Sequence, residues 1–184
     1  MVIPIIIIVV IALLIGLIIY TYNSLVNSKN QVKNAWSQID VELQRRFDLI
    51  PNLVETVKGY MTHEESVLTK VTELRASWAN SKSISEKAKL ENELTSSLKS
   101  IAVVAEQYPD LKSNTNFLNL QDELASTETK ISTSRAAYNN QVAMYNTKLE
   151  IFPNNILSKF FNFNKEEFFK VENEEIKQNI KVSF

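Results

Sequence analysis

The chain has 184 residues, with Lys+Arg 20 against Asp+Glu 21 for a formal net charge of −1, and it contains one histidine and no cysteine. Such a balance supplies no field of clustered cations, which excludes nucleic acid as an expected partner. The missing cysteine removes disulfides, thiolate metal sites and a lipoprotein anchor and fits a reducing compartment, while two glycines and four prolines favour long uninterrupted helices.

No charged side chain occurs before Lys29, and nearly all of Met1 to Tyr20 (MVIPIIIIVVIALLIGLIIY) is aliphatic. At roughly 1.5 Å per residue, a helix of this length matches a hydrocarbon layer of about 30 Å. A cleaved signal peptide needs a cationic start and a small-residue cleavage site. Met1 to Pro4 carry no basic side chain and Tyr20-Thr21-Tyr22-Asn23 follows the core, so the expectation is an uncleaved anchor over residues 1–24. Pro4 suits a first turn, and Tyr20 and Tyr22 stand where an interfacial aromatic belt would lie. Lys29, Lys33, Arg45 and Arg46 all follow the span. The positive-inside rule therefore predicts a single-pass chain with its N-terminus outside and its bulk in the cytoplasm.

From Leu25 onward, Val32, Trp36, Ile39, Leu43, Phe47, Ile50, Val54 and Val57 recur three and four apart, which predicts a helix with one buried seam continuous with the anchor. Pro51 predicts a kink between Phe47 and Pro51, because it removes a hydrogen bond and clashes with the preceding turn. Gly59 is expected to end the helix in a left-handed cap. Thr62 and Glu65 read as a capping box opening a second helix with Val67, Val71, Leu74 and Trp78 inward. Ser83 and Glu86 repeat the box before a third helix, with Leu90, Leu94, Leu98, Ile101 and Ala105 inward, stopped by Tyr108-Pro109-Asp110. After Ser113 or Asn114 as cap, a fourth helix carries Phe117, Leu120, Leu124, Ile131, Tyr138, Val142, Tyr145 and Leu149 towards Pro153.

Short connections make neighbouring helices antiparallel. The predicted fold is all-α: an apolar transmembrane helix continuing into an up-and-down bundle over residues 25–152, with two long and two short helices; three long helices are the alternative. The short pair can cover only part of the long pair, which leaves a two-helix stalk where Leu25, Val32, Trp36 and Ile39 face Tyr138, Val142, Tyr145 and Leu149 with coiled-coil spacing. Either a second copy or the tail over residues 153–184 should cover it. The tail's Phe160, Phe161, Phe163, Phe168 and Phe169 suit packing on the stalk or contact with the membrane interface.

Tyr22-Asn23-Ser24-Leu25-Val26, Val32-Lys33-Asn34-Ala35-Trp36-Ser37-Gln38-Ile39-Asp40-Val41, Leu43-Gln44-Arg45-Arg46-Phe47-Asp48-Leu49-Ile50-Pro51-Asn52-Leu53-Val54, Ala105-Glu106-Gln107-Tyr108-Pro109-Asp110-Leu111-Lys112 and Arg135-Ala136-Ala137-Tyr138-Asn139 together resemble the LemA family over nearly the whole chain. The resemblance implies a bacterial membrane protein with one N-terminal span and a helical domain. It implies no shared enzymatic activity and no cofactor. Some members are encoded near membrane metalloproteases, which makes such a protease one conceivable partner. The Phe- and Asn-rich tail is this chain's own.

Little in the sequence supports catalysis. His63 lacks the second histidine that a helical zinc site places four residues on, and Glu106 with Asp110 offers only a pair of carboxylates near a helix end. Charges beside the seams are more informative. Arg46 adjoins Phe47 and can pair with Glu42 one turn away, while Arg135 shares a face with Glu128. Buried charges must be compensated, so Asp40, Glu42, Asp48 or Glu128 is expected to meet Arg46 or Arg135. The candidate polar network is Asp40, Arg46, Asp48, Glu106, Glu128, Arg135 and Asn139, read as register-fixing ion pairs or as a groove for a partner. The leading expectation is a non-enzymatic, membrane-bound scaffold contacting lipids and a protein partner. The rivals are an accessory subunit of a membrane protease and a self-assembling homo-oligomer that organises membrane.

Overall fold

The computed structural model describes residues 2–60 and 65–170. All regular structure among them is helical: α1 Val2–Asp48, α2 Ile50–Lys58, α3 Glu65–Asn80, α4 Ile84–Ala105, α5 Pro109–Lys112, α6 Thr115–Glu150 and α7 Asn154–Phe160. The expected all-α class is what the chain adopts. Thr62 and His63, and with them the capping box proposed at the start of α3, lie outside the described residues. Two compact units are formed, one by α1 as far as Asp40 with Thr133–Phe168, the other by Val41–Ser132.

Local chemistry explains the helix boundaries. Pro51 falls in the first turn of α2, where a missing N–H has no intrahelical partner to lose. The interruption is confined to Leu49, whose N–H reaches back only three residues to the Arg46 carbonyl at 3.3 Å. This break resets the helical phase, so Leu53 is buried where Val54 was expected, and Val54 is half-buried. Gly59 corrects another expectation: its φ of −72° and ψ of −16° are right-handed. The turn there tightens through a 2.9 Å bond from the Tyr60 N–H to the Val57 carbonyl, which needs no left-handed residue. Ser83 caps α4 as predicted, its hydroxyl accepting the Glu86 N–H at 3.1 Å. At α6 the cap is Asn114, whose Oδ1 accepts from the N–H groups of Asn116 at 2.9 Å and Phe117 at 3.1 Å.

In the unit of Val41–Ser132, Leu43, Phe47, Ile50, Leu53 and Val57 are buried with Leu68, Val71, Leu74 and Trp78 of α3 and Ala88, Leu94, Ile101 and Ala105 of α4. Phe47 stacks on Trp78 with centroids 4.8 Å apart. Between Leu124 and Ile131, where the apolar pattern of α6 skips a turn, Thr127 is buried and returns its hydroxyl to the Leu124 carbonyl at 2.8 Å. Val67 of α3, Leu90 and Leu98 of α4 and Leu120 of α6, expected inward, are half-buried, because these helices bury narrower stripes than the seams implied.

In the other unit, Leu25, Val32, Ala35 and Ile39 of α1 are buried with Tyr138, Val142, Tyr145 and Leu149 of α6. Trp36 meets Tyr138 edge to face at 5.7 Å. The C-terminal segment covers this pair: after α7 the chain reverses at Asn162, which has a φ of 57°, and residues 163–168 run back along it. The apolar start of α1 differs throughout. Val2 to Tyr20 is exposed on every side, and this helix is long and apolar enough to cross a membrane.

Candidate functional site

The most buried ionisable cluster centres on Arg46, on the last turn of α1 and 1% exposed. Its Nη1 donates to Glu91 Oε1 at 2.6 Å and to Thr95 Oγ1 at 3.0 Å, and its Nη2 donates to Glu128 Oε2 at 3.3 Å. Thr95 in turn donates to Glu91 Oε1 at 3.1 Å. One guanidinium thus binds carboxylates from two helices, α4 and α6, using the planar fork that makes arginine suited to such pairs. Glu91 is 4% exposed, whereas the Glu128 side chain is about half exposed at 49%. The Glu91 contact accordingly dominates, because solvent screens the other. Two polar atoms in this neighbourhood, Arg46 Nε and Glu42 Oε2, are buried without a hydrogen-bond partner among the described residues.

The expected pairing of Glu42 with Arg46 does not form. The guanidinium is taken instead by the cross-helix carboxylates of Glu91 and Glu128. Glu128 meets Arg46 as anticipated. Asp48 instead accepts a 2.8 Å bond from Gln44 at the surface, and Glu106 makes an exposed ion pair with Lys112. Arg135 is half-buried and joins none of the ion pairs formed by described residues. Asp40 and Asn139 are also half-buried. The seven residues therefore do not gather into one network; Arg46 and Glu128 do, completed by Glu91 and Thr95. Glu91 has a detectable signature, since it stands at the helical spacing between Ala88 and Leu94 on the face α4 buries.

A second polar assembly binds residues 163–168 within the unit of α1 up to Asp40 and Thr133–Phe168. Asn146 exchanges two 2.9 Å bonds with the Glu166 backbone, donating to its carbonyl and accepting its N–H. Tyr138 donates to the Glu167 carbonyl at 2.7 Å, and Lys29 pairs with Glu166 at 3.5 Å. Lys148 donates to the Ser24 carbonyl at 3.1 Å and the Ser28 hydroxyl at 2.9 Å. Burial first, and then the neighbouring Glu166 and Glu167, push the Tyr138 phenol up to about 12; burial and Glu166 do the same to Tyr145. The Tyr145 hydroxyl has no hydrogen-bond partner among the described residues.

The surface of Val41–Ser132 carries two open grooves of about 540 Å³ each. One is lined by Val54, Leu68 and Ala76 with Lys58, Glu65 and Glu73 at its edges, the other by Leu49 and Leu120 among Asn52, Asn116, Asn119 and Glu123. Among the described residues, no three histidine, aspartate or glutamate side chains stand close enough together to hold a metal ion.

These features define a class: an all-α chain whose first helix is long and apolar enough to cross a membrane, and whose buried arginine pairs with carboxylates of two other helices. Residues 35–184 match the model of the LemA family, and the chain belongs to that family. It is 26% identical over 152 residues to Protein LemA of Metamycoplasma hominis, an alignment covering 80% of this chain and 69% of that protein.

Proposed function

We propose that this protein is a non-enzymatic, membrane-anchored helical scaffold of a bacterial cell membrane, with its N-terminus outside and its helical domain presented to protein partners at the cytoplasmic face. The observation that carries this reading is the exposure of the apolar start of α1. Every residue from Val2 to Tyr20 is exposed, and such a surface is stable only in lipid or under another apolar cover. The helix continues unbroken to Asp48, so the attachment is a helix rather than a flexible linker. Tethering raises the local concentration of partners at the membrane without any chemistry of its own. In support, Arg46 and Glu128 are engaged in an interhelical clamp and Glu106 in a surface ion pair, roles that leave these charged groups explained structurally.

The natural chain has no cysteine, so a single cysteine can be read unambiguously. With Val103→Cys at an exposed site of α4, a membrane-impermeant maleimide should label intact cells only after permeabilisation. Labelling of intact cells would reverse the orientation, and recovery of the chain from the soluble fraction would remove the anchor. Partner capture from the full chain then separates a general scaffold from an accessory subunit of a membrane protease.

A further inference from the structure

The corner between α6 and α7 carries an apolar patch that nothing in its own unit covers. Phe152 and Phe160 are 74% and 75% exposed, and Ile151 and Ile156 are exposed at 55% and 58%. Ile156 and Phe160, four apart on α7, share one face. Exposed aromatic and aliphatic side chains at this density mark a contact surface.

The register of α6 against α1 fixes where this corner lies. Trp36 meets Tyr138, and further along Lys148 meets Ser24 and Ser28, so the two helices run antiparallel, and each step along α6 approaches the apolar span. Phe152 follows the end of this approach, two residues after α6 stops at Glu150. Tyr22 itself is in edge contact with Phe161 at 4.9 Å and with Phe163 at 5.8 Å, and Phe160 packs on Phe161 at 5.0 Å. Burial along α1 begins at Thr21, which is 3% exposed, whereas Tyr20 is 74% exposed. The folded body therefore ends where the lipid-facing run ends, and the corner forms its end surface.

We propose that Ile151, Phe152, Ile156 and Phe160 form a foot seated in the interfacial layer of the bilayer beside the span. This rests on the reading of Val2–Tyr20 as a membrane anchor. Aromatic rings favour the headgroup level, and a short apolar face held beside a span enters it at no cost in free translation. Charge identifies which lipid property is used. Lys165 pairs with Glu150 and Lys29 with Glu166, so among the described residues this end offers Lys159 but no basic cluster of the kind that captures anionic headgroups. Seating is accordingly apolar, and zwitterionic lipid suffices for it.

The test uses the full chain, reconstituted in phosphatidylcholine bilayers, with a nitroxide on a single introduced cysteine: Phe152→Cys, Ile156→Cys or Phe160→Cys. Val10→Cys in the span and Val103→Cys on α4 serve as references. All five positions are exposed, so the changes leave the packed interior intact. The expected result is that labels at 152, 156 and 160 collide more with oxygen and less with an aqueous nickel chelate than the label at 103, at depths shallower than 10. If 10 lies deep while 152, 156 and 160 match 103, the foot is refuted and the anchor stands. If 10 also matches 103, the anchor fails and the foot with it. Dipolar broadening between labels at 152 or 160 would assign the patch to a second copy of the chain and overturn the proposal.

Discussion

Removing the Arg46 guanidinium is expected to be among the most damaging single changes in the domain. In Arg46→Met the carboxylate of Glu91, whose side chain is 5% exposed, keeps only Thr95 as a partner. Breaking a buried pair by deleting one member typically costs about 3–5 kcal/mol, because the other charge stays desolvated. The Glu128 contact adds about 1 kcal/mol at most, since that side chain is half in water. For a chain of this size each kcal/mol moves the midpoint by roughly 2–4 °C, so Arg46→Met should lower the helical melting transition by about 6–20 °C. The decisive variant is the double one. Arg46→Met with Glu91→Leu replaces both charges by apolar groups and should recover most of the loss, as such replacements are often neutral or stabilising. Circular dichroism of the full chain in detergent, against temperature and against urea, reads all three variants. A loss below about 1 kcal/mol for Arg46→Met, or a double variant as unstable as the sum of the singles, would refute the clamp.

Other consequences are read more simply. Asn146→Ala deletes both bonds to the Glu166 backbone, so limited proteolysis should cut residues 163–168 faster than in the natural chain. Tyr138 and Tyr145 have phenols raised to about 12, above the unfolded value of about 10; the folded state holds these protons more tightly, so their contribution is complete below about pH 10 and is lost as pH rises towards 12. Phenolate absorbance should show the two tyrosines titrating late, and their titration at the unfolded value of about 10 would contradict their burial. Tyr145→Phe removes a hydroxyl that has no partner among the described residues, so thermal melting should show it neutral or stabilising by up to about 1 kcal/mol, whereas Tyr138→Phe should cost about 1 kcal/mol. Leu53→Ala should cost about 2–5 kcal/mol, whereas Val54→Ala should cost much less in the same melts.

Much of this architecture was legible in residue spacing. The seam from Leu25 to Phe47 and its counterpart from Ile131 to Leu149 could be read off because an uninterrupted helix keeps its phase, and side chains three or four apart must share a face. Legibility failed where phase was broken or where polar atoms took apolar places. Pro51 shifted the buried position from Val54 to Leu53. Glu91 and Thr127 occupy core positions that an apolar pattern passes over, so the more buried of the two carboxylates on Arg46 was hidden, although Glu128 was foreseen. Hydrogen bonds to backbone groups, such as those of Asn146 and Lys148, leave no trace in sequence because the acceptor is common to every residue. The covering of the α1 and α6 pair by residues 163–168 was one of two expected outcomes, and aromatic content alone could not choose between them.

The central claim, that an apolar helix tethers a partner-binding domain to the membrane, is tested most directly by proximity labelling in living cells from the full chain and from a variant lacking residues 2–20. The account predicts a restricted set of cytoplasmic-face membrane proteins for the full chain, lost when the apolar run is removed although the helical domain remains folded. An unchanged set of neighbours in the shortened variant would contradict it.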